Sequence, residues 1–389
     1  MRSLISFILF ITVFLTLYGL LHAYFYFKLK SVIIISPLSN WLILAFLFTM
    51  LIAPILINVF IKYEWHFITT FLSYIAYTWM AVLFLFFSAH ICMDIYNSVI
   101  HLFSIIFPVS FLNFKLGSMV SFVVVILMVV GIISYGFFEA ENIKVKEVVL
   151  ETEKLPSAIN SLKVLQISDI HFSAINSVRL ARKIVDIIKD INPDILVSTG
   201  DLIERGLFEK KEVASLFRSI KAPYGKYAVT GNHEFYTGIT KAIEFTENAG
   251  FKMLRNEGVT VGDVLNVVGL DDPTSKQSES NANVSENKIL NKFSNKKFTI
   301  LLKHQPTINK RSATLFDLQL SGHTHNGQIF PFRLITSLFF PYNNGLFQVG
   351  NNSYFYVNSG TGTWGPPVRF LSPPEITIFT FQKFESIPR

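Results

Sequence analysis

The stretch Val164-Leu165-Gln166-Ile167-Ser168-Asp169-Ile170-His171 decides how the rest of the chain is read. A short apolar run with polar residues at its end reads as a buried β-strand, and this one delivers Asp169 and His171 at its C-terminal edge. The construction recurs. Ile195-Leu196-Val197 runs into Gly200-Asp201, Tyr227-Ala228-Val229 into Gly231-Asn232-His233-Glu234, Ile300-Leu301-Leu302 into His304, and Leu318-Gln319-Leu320 into Gly322-His323-Thr324-His325. All five histidines after residue 140 fall inside these motifs. Any one of them alone reads more readily as a satisfied core or surface residue. Together, at strand ends beside Asp and Asn, they read as a binuclear metal site.

Around these strands the chain alternates. From Val178 to Asp190, Leu180, Ile184, Ile187 and Ile188 recur at helical spacing and stop before Pro193, which makes a β-α-β unit with the strands on either side. Lys144 to Leu150 alternates as a strand, and Tyr354-Phe355-Tyr356-Val357 and Ile376-Thr377-Ile378-Phe379 close the sheet system. Folds of this α/β kind bind ligands at the C-terminal ends of their strands. Thr274 to Lys297 turns to Ser, Asn, Lys and Glu and reads as an exposed excursion with a short helix around Ser285 to Phe293.

The first 140 residues belong to another physical class. Before Glu139 only Arg2, Lys28, Lys30, Lys62, Lys115, Glu64 and Asp94 are charged. Apolar runs at 4–27, 41–61, 68–93 and 118–138 each approach the roughly 20 residues that cross about 30 Å of hydrocarbon. We expect a multi-pass integral membrane protein with an N-terminal transmembrane α-helical bundle of about four helices over 1–140 and a soluble domain over 141–389. The stretch 97–113, broken by Pro108, reads as interfacial rather than as a fifth span. No small-residue cleavage site follows the first run, which therefore reads as an uncleaved anchor. Lys and Arg in the short loops slightly favour the cytoplasm for the soluble domain. His22, His66, His90 and His101 read as interfacial or helix-packing residues. The net charge of +7 divides into +3 before Glu139 and +4 after it, too little to argue for nucleic acid as a partner. A single cysteine, Cys92, excludes an intrachain disulfide.

In an extended strand end, residues two apart point the same way, so Asp169 and His171 can grip one ion while Ile170 packs backwards. Asp201 offers two oxygens that can bridge two cations, Asn232 adds a neutral oxygen, and His304, His323 and His325 add nitrogens. A nitrogen and oxygen shell without thiolate suits two divalent ions of Mn, Fe or Zn. A pair about 3.5–4 Å apart would clamp a phosphoryl group and stabilise its attacking and leaving oxygens.

The order D-x-H, G-D, G-N-H-[D/E], a lone H and G-H-x-H resembles the calcineurin-like metallophosphoesterase superfamily over about residues 160–380. Gly360-Thr361-Gly362-Thr363-Trp364-Gly365-Pro366-Pro367 and Asp271-Asp272-Pro273 are similar to its bacterial membrane-attached branch. The resemblance implies a four-layer α/β/β/α sandwich. It assigns one metal to Asp169, His171, Asp201 and His325, the other to Asp201, Asn232, His304 and His323, and gives His233 the catalytic role of facing the phosphate. It departs at Asn326, where the branch often has Gly.

The expected function is hydrolysis of a phosphodiester or pyrophosphate, a lipid-linked envelope precursor being one option. The alternative is a metal-loaded binding module without catalysis. Ile329 to Phe347, rich in Phe and Leu with only Arg333 charged, would touch membrane lipids if exposed; packed inside, it would be ordinary core. Arg369 could reach a phosphate oxygen, though a structural salt bridge or a solvated side chain is the readier reading.

Overall fold

The structure is a computed structural model that describes residues 2–107, 111–278, 285–293, 295–350 and 353–383. The chain separates into two compact units, Met1–Phe137 and Phe138–Arg389. The first contains helices α1 (Arg2–Lys30), α2 (Pro37–Lys62) and α3 (His66–Ile106), a 3-10 turn at Phe111–Phe114, and most of α4 (Ser118–Glu141), whose last residues, Phe138 to Glu141, belong to the second unit. Residues 97–106 are not a separate helix; they continue α3, and Pro108 lies outside the described residues. At 1.5 Å per residue this 41-residue helix is about 60 Å long, twice the hydrocarbon thickness.

Among the described residues, the helical stretches 37–62, 66–106 and 111–141 are long and apolar enough to cross a membrane, and α1 carries the apolar run 4–27. Leu42, Phe48, Phe67 and Leu127 lie exposed on these helices, where water would penalise them at about 25 cal/mol per Å². Polar side chains turn to one another instead. His22 Nδ1 donates to the Tyr18 carbonyl at 2.8 Å and its Nε2 accepts from Trp79 at 3.1 Å, a helix-packing role. Lys28 meets Asp94 at 2.7 Å, and Tyr24 donates to the same carboxylate.

Among the described residues the second unit holds twelve strands and seven α-helices. They run β1 (Lys144–Glu151), β2 (Ser161–Ile167), α5 (Val178–Ile191), β3 (Ile195–Ser198), α6 (Lys210–Arg218), β4 (Lys226–Ala228), α7 (Asn232–Thr237), α8 (Ile239–Asn248) and β5 (Lys252–Met253). Then come β6 (Glu257–Val261), β7 (Leu265–Gly269), α9 (Ser275–Ser278), α10 (Glu286–Leu290), β8 (Phe298–Leu302) and β9 (Leu318–Ser321). The last are α11 (Phe332–Phe339), β10 (Gly345–Val349), β11 (Ser353–Val357) and β12 (Glu375–Gln382). Two six-stranded sheets result, ordered β1-β12-β2-β3-β4-β5 and β10-β11-β9-β8-β7-β6. Strands β2 to β5 are parallel, as are β7, β8, β9 and β11. The two closing strands read from the sequence fall in different sheets: β11 beside β9, and β12 between β1 and β2, antiparallel to β2.

Strand alternation sorts the apolar residues into three interiors. Leu165, Ile167 and Leu196 face Ala181, Ile184, Ile188, Val213, Phe217 and Phe245 of α5, α6 and α8. On the opposite face Val164, Ile195, Val197 and Phe379 meet Val267, Ile300, Leu302 and Leu320 of the second sheet. Beyond that sheet, Leu301, Phe355 and Val357 are covered by Ile289 and Leu290 of α10. The layers are therefore α/β/β/α with a thin outer helical layer. The polar excursion supplies that layer, so it is not merely exposed; residues 279–284 and 294 of it lie outside the described residues. Asn192 in the left-handed region ends α5, its N–H on the Ile188 carbonyl, just before Pro193. Shortening Leu290 to Ala should lower stability by about 2–5 kcal/mol in denaturant unfolding of the detergent-solubilised protein and leave metal affinity intact; no loss would show that the outer layer is dispensable.

Candidate metal centre

The five motif loops leave the C-terminal ends of parallel strands, β2, β3 and β4 in one sheet and β8 and β9 in the other. Asp169, His171, Asp201, His323 and His325 all have positive φ, between 48° and 74°, a conformation costing non-glycine residues about 1–3 kcal/mol each. Asp169 and His171 thus share a side through two left-handed residues rather than through a strand's pleat, while Ile170 packs into the helix-side core as expected. Backbone bonds hold the loops in register past the strand ends: Asp169 N–H to the Gly200 carbonyl at 3.0 Å, His171 to Asp201 at 3.1 Å, Phe172 to Leu202 at 3.1 Å. Asn326 also sits at φ 50°, a region Asn tolerates better than most residues, so the exchange for Gly keeps the turn.

Among the described residues, three groups of side chains bring candidate ligand atoms within 4.8 Å of one another: Asp169, His171 and His325; His171, Asp201 and His233; and Asp201, His304 and His323. In the first, His171 Nε2 lies 3.0 Å from His325 Nε2, and His325 Nε2 lies 3.5 Å from Asp169 Oδ1. In the last, His304 Nε2 lies 3.2 Å from Asp201 Oδ2, 3.2 Å from Asn232 Oδ1 and 3.1 Å from His323 Nδ1. All eight residues singled out from the sequence are brought together here.

The donor set fits divalent ions. His304 Nδ1 donates to the Thr199 carbonyl at 2.8 Å, which aims Nε2 at two acceptor oxygens. Burial works against charge on the ring, but the Asp201 carboxylate outweighs it and holds His304 well above its ordinary value, so a positive charge is called for at the point where a divalent ion would replace the proton. Burial pushes the Asp201 carboxyl up, but His304, His233 and His171 outweigh it and hold the group well below the usual carboxylate range. Burial, with the His304 charge, drives His323 down to about 4, which keeps its ring a neutral lone-pair donor.

Two carboxylates organise the cluster, and the sequence reading gave neither a role. Glu234 is fully buried; Oε2 accepts from Asp201 N–H at 3.0 Å and Gly231 N–H at 2.7 Å, and Oε1 from Leu202 N–H at 2.7 Å. Glu204 Oε1 lies 2.8 Å from His171 Nδ1 and 3.2 Å from His233 Nδ1. Burial works against charge on both partners of the Glu204–His233 pair. Against that burial, His171 and then His233 take the glutamate down to about 2, and Asp201 and then Glu204 take His233 up to about 9. The signals were present as the last residue of Gly-Asn-His-Glu and as an acid three places after Asp201.

Close approach explains two motif glycines. A β-carbon on Gly231 would fall 2.1 Å from Asp201 Oδ1, and one on Gly322 2.1 Å from Asp169 Oδ2. The tail completes the wall: Thr361 and Gly362 N–H bond the Ser168 and Asp169 carbonyls at 2.7 and 3.1 Å, and exposed Trp364 sets its ring 5.9 Å from that of His233. Arg369 neither reaches outward nor sits in solvent. It is fully buried, and its guanidinium donates to the carbonyls of Ser359, Gly360, Gly362 and Ser372. A groove of about 570 Å³ edged by Lys210, Lys211, Arg218 and Lys241 contains none of the motif residues.

Residues 162–327 match the family model described as calcineurin-like phosphoesterase. The chain is 34% identical over 250 residues to an uncharacterised metallophosphoesterase of Aquifex aeolicus, covering 64% of this chain and 95% of that protein. It is 27% identical over 382 residues to one from Campylobacter jejuni, covering 97% and 99%, a similarity that includes the N-terminal helices. A Danio rerio protein named transmembrane protein with metallophosphoesterase domain is 31% identical over 273 residues, covering 67% and 62%. Replacing Glu234 by Ala strands three buried N–H groups at about 1–3 kcal/mol each. Chemical denaturation should therefore register a loss of at least about 3 kcal/mol, and a loss below about 1 kcal/mol would deny Glu234 its organising part.

Proposed function

The chain belongs to the calcineurin-like phosphoesterase family and is a metal-dependent phosphoesterase, and we propose that it cleaves a phosphodiester or pyrophosphate bond at two divalent ions. One ion is assigned to Asp169, His171, Asp201 and His325, the other to Asp201, Asn232, His304 and His323. The observation that carries this is the place of Asp201, whose carboxylate belongs to candidate ligand groups on both sides of it. Bound there, Mn, Fe or Zn ions supply charge neutralisation of the phosphoryl oxygens and a water acidic enough to attack phosphorus.

The protein's own part is orientation and proton transfer. His233 turns Nδ1 to Glu204, which leaves Nε2 for the substrate, and its charge suits it to donate a proton to the leaving oxygen as the bond from phosphorus breaks. Its side chain is 17% exposed, enough to meet a ligand from the outside. Tyr236 and Trp364, both about half exposed, flank its ring and give the substrate an aromatic wall.

We further propose that the substrate's phosphate is carried on an amphiphile. The residues of Ile329 to Phe347 divide: Ile329 is buried, whereas α11 buries nothing, and Leu334, Leu338 and Phe339 are 62%, 81% and 75% exposed. Phe340, directly after α11, lays its ring 5.0 Å from that of His323. An apolar helix beside the metal centre suits a headgroup region. In this reading α1 to α4 cross the bilayer, and the slight excess of Lys and Arg favours the cytoplasmic side for the catalytic unit.

The test is turnover of bis(p-nitrophenyl) phosphate and p-nitrophenyl phosphate by the full chain in detergent, stripped of metal and reloaded with Mn²⁺ or Zn²⁺. Metal-dependent turnover should vanish in Asp201→Ala and fall about 10²–10⁴-fold in His233→Ala. Metal binding without turnover on any phosphoester would favour the binding-module reading instead. For the amphiphile, Leu338→Ser with Phe339→Ser should spare the water-soluble diester and slow a vesicle-borne phosphate; equal slowing of both would count against it.

A further inference from the structure

We propose that Glu139, in the last turn of α4, is a positioning residue for His325, which it holds in place through the Leu371–Ser372 turn. The inference rests on the reading of His325 as a metal ligand. An acid at a helix C-terminus opposes the helix dipole, and Glu139 is also 93% buried, at 7% exposure, where a carboxylate needs partners. It finds two consecutive amides: Leu371 N–H donates to Oε2 at 3.1 Å and Ser372 N–H to Oε1 at 3.2 Å.

At Leu371 the side chain does not help to hold the turn so gripped. Leu371 lies at φ 57°, unfavourable for a residue with a β-carbon, and its side chain is 58% exposed, so packing does not fix it. From the turn the contacts pass directly to the metal loop. Ser372 Oγ donates to the His325 carbonyl at 2.7 Å. Arg369 Nη1 donates to the Ser372 carbonyl at 2.9 Å, while its Nη2, engaged with the Gly360 and Gly362 carbonyls, packs 3.3 Å from His325 Nδ1. His325 and Asn326 are themselves left-handed, so the backbone of this ligand depends on outside support. Glu141, two residues on, does something else: half exposed, it pairs with Arg179 and Lys183 of α5.

Outer contacts that orient metal ligands typically govern affinity by about 10–100-fold. The experiment measures Mn²⁺ affinity and the visible Co²⁺ spectrum of the full chain in detergent. Glu139→Gln puts an amide NH₂ against one of the two N–H groups; it should weaken Mn²⁺ at least about tenfold and alter the Co²⁺ bands. Glu141→Gln removes the same charge from the same turn and should change neither. Adding Leu371→Gly to Glu139→Gln relieves the backbone conformation and should restore part of the affinity, a rescue that general destabilisation would not give. Ser372→Ala, which deletes only the link to the His325 carbonyl, should weaken binding about threefold and decides the matter if Glu139→Gln fails to fold. Wild-type affinity and spectrum in Glu139→Gln, or in Ser372→Ala, would overturn the proposal, as would an equal loss in Glu141→Gln. A wild-type chain that binds no Mn²⁺ would sink the metal assignment itself.

Discussion

The Asp201 carboxylate is the constraint around which the catalytic unit is arranged. It is nearly fully buried, so its charge must be met by neighbours, and three histidine rings from three different loops approach it. Placing those rings requires β3 to end beside β2 and β4 in one sheet, and β8 and β9 of the other sheet to end at the same edge. It also requires that the loops fit without β-carbons at Gly231 and Gly322 and that Glu234 collect the amides the loops leave open. The apolar interiors on both faces of the sheets supply the stability against which five left-handed candidate ligand residues can be maintained.

What could be read in the sequence followed from physics confined to short windows. Strands β2, β3, β8 and β9 declare themselves because a buried parallel strand is a nearly continuous apolar run, and each stops at residues no core would accept charged and unpaired; β4, Lys226 to Ala228, is only partly buried and is marked by the Gly231-Asn232-His233 motif that follows it. The same feature hides the division into two sheets: a strand buried on both faces looks alike in either. Strands β5, β6 and β7 are two to five residues long, and β6 carries Glu257 and Gly258 amid its apolar residues, so no periodicity develops. Residues 97–106 misled because a helix twice the bilayer thickness has to leave the apolar composition behind somewhere along its length.

The cluster was legible in the sequence as a set of candidate ligands but not as a set of supports. Asp169, His171 and the rest carry chemistry that few other roles explain, whereas Glu204, Glu234 and Arg369 act through partners distant in sequence. Arg369 illustrates the difference. A guanidinium near a phosphate site suggests anion binding, yet this one is spent on main-chain carbonyls of the loop that walls the site. Local sequence holds no record of that choice, because the acceptors are backbone atoms whose orientation only the assembled fold determines.

The contacts between motif loops have a consequence for how an ion enters. His323 N–H closes on Asp169, His304 Nδ1 on the Thr199 carbonyl, and the Gly362 amide on the Asp169 carbonyl, all made by protein atoms alone. Such a centre is preorganised in the manner of a receptor, unlike a small zinc module whose chain collapses around its ion. Little of the ion's binding free energy then goes into ordering polypeptide. Affinity would then rest on the donor atoms and their desolvation more than on the folding of the chain.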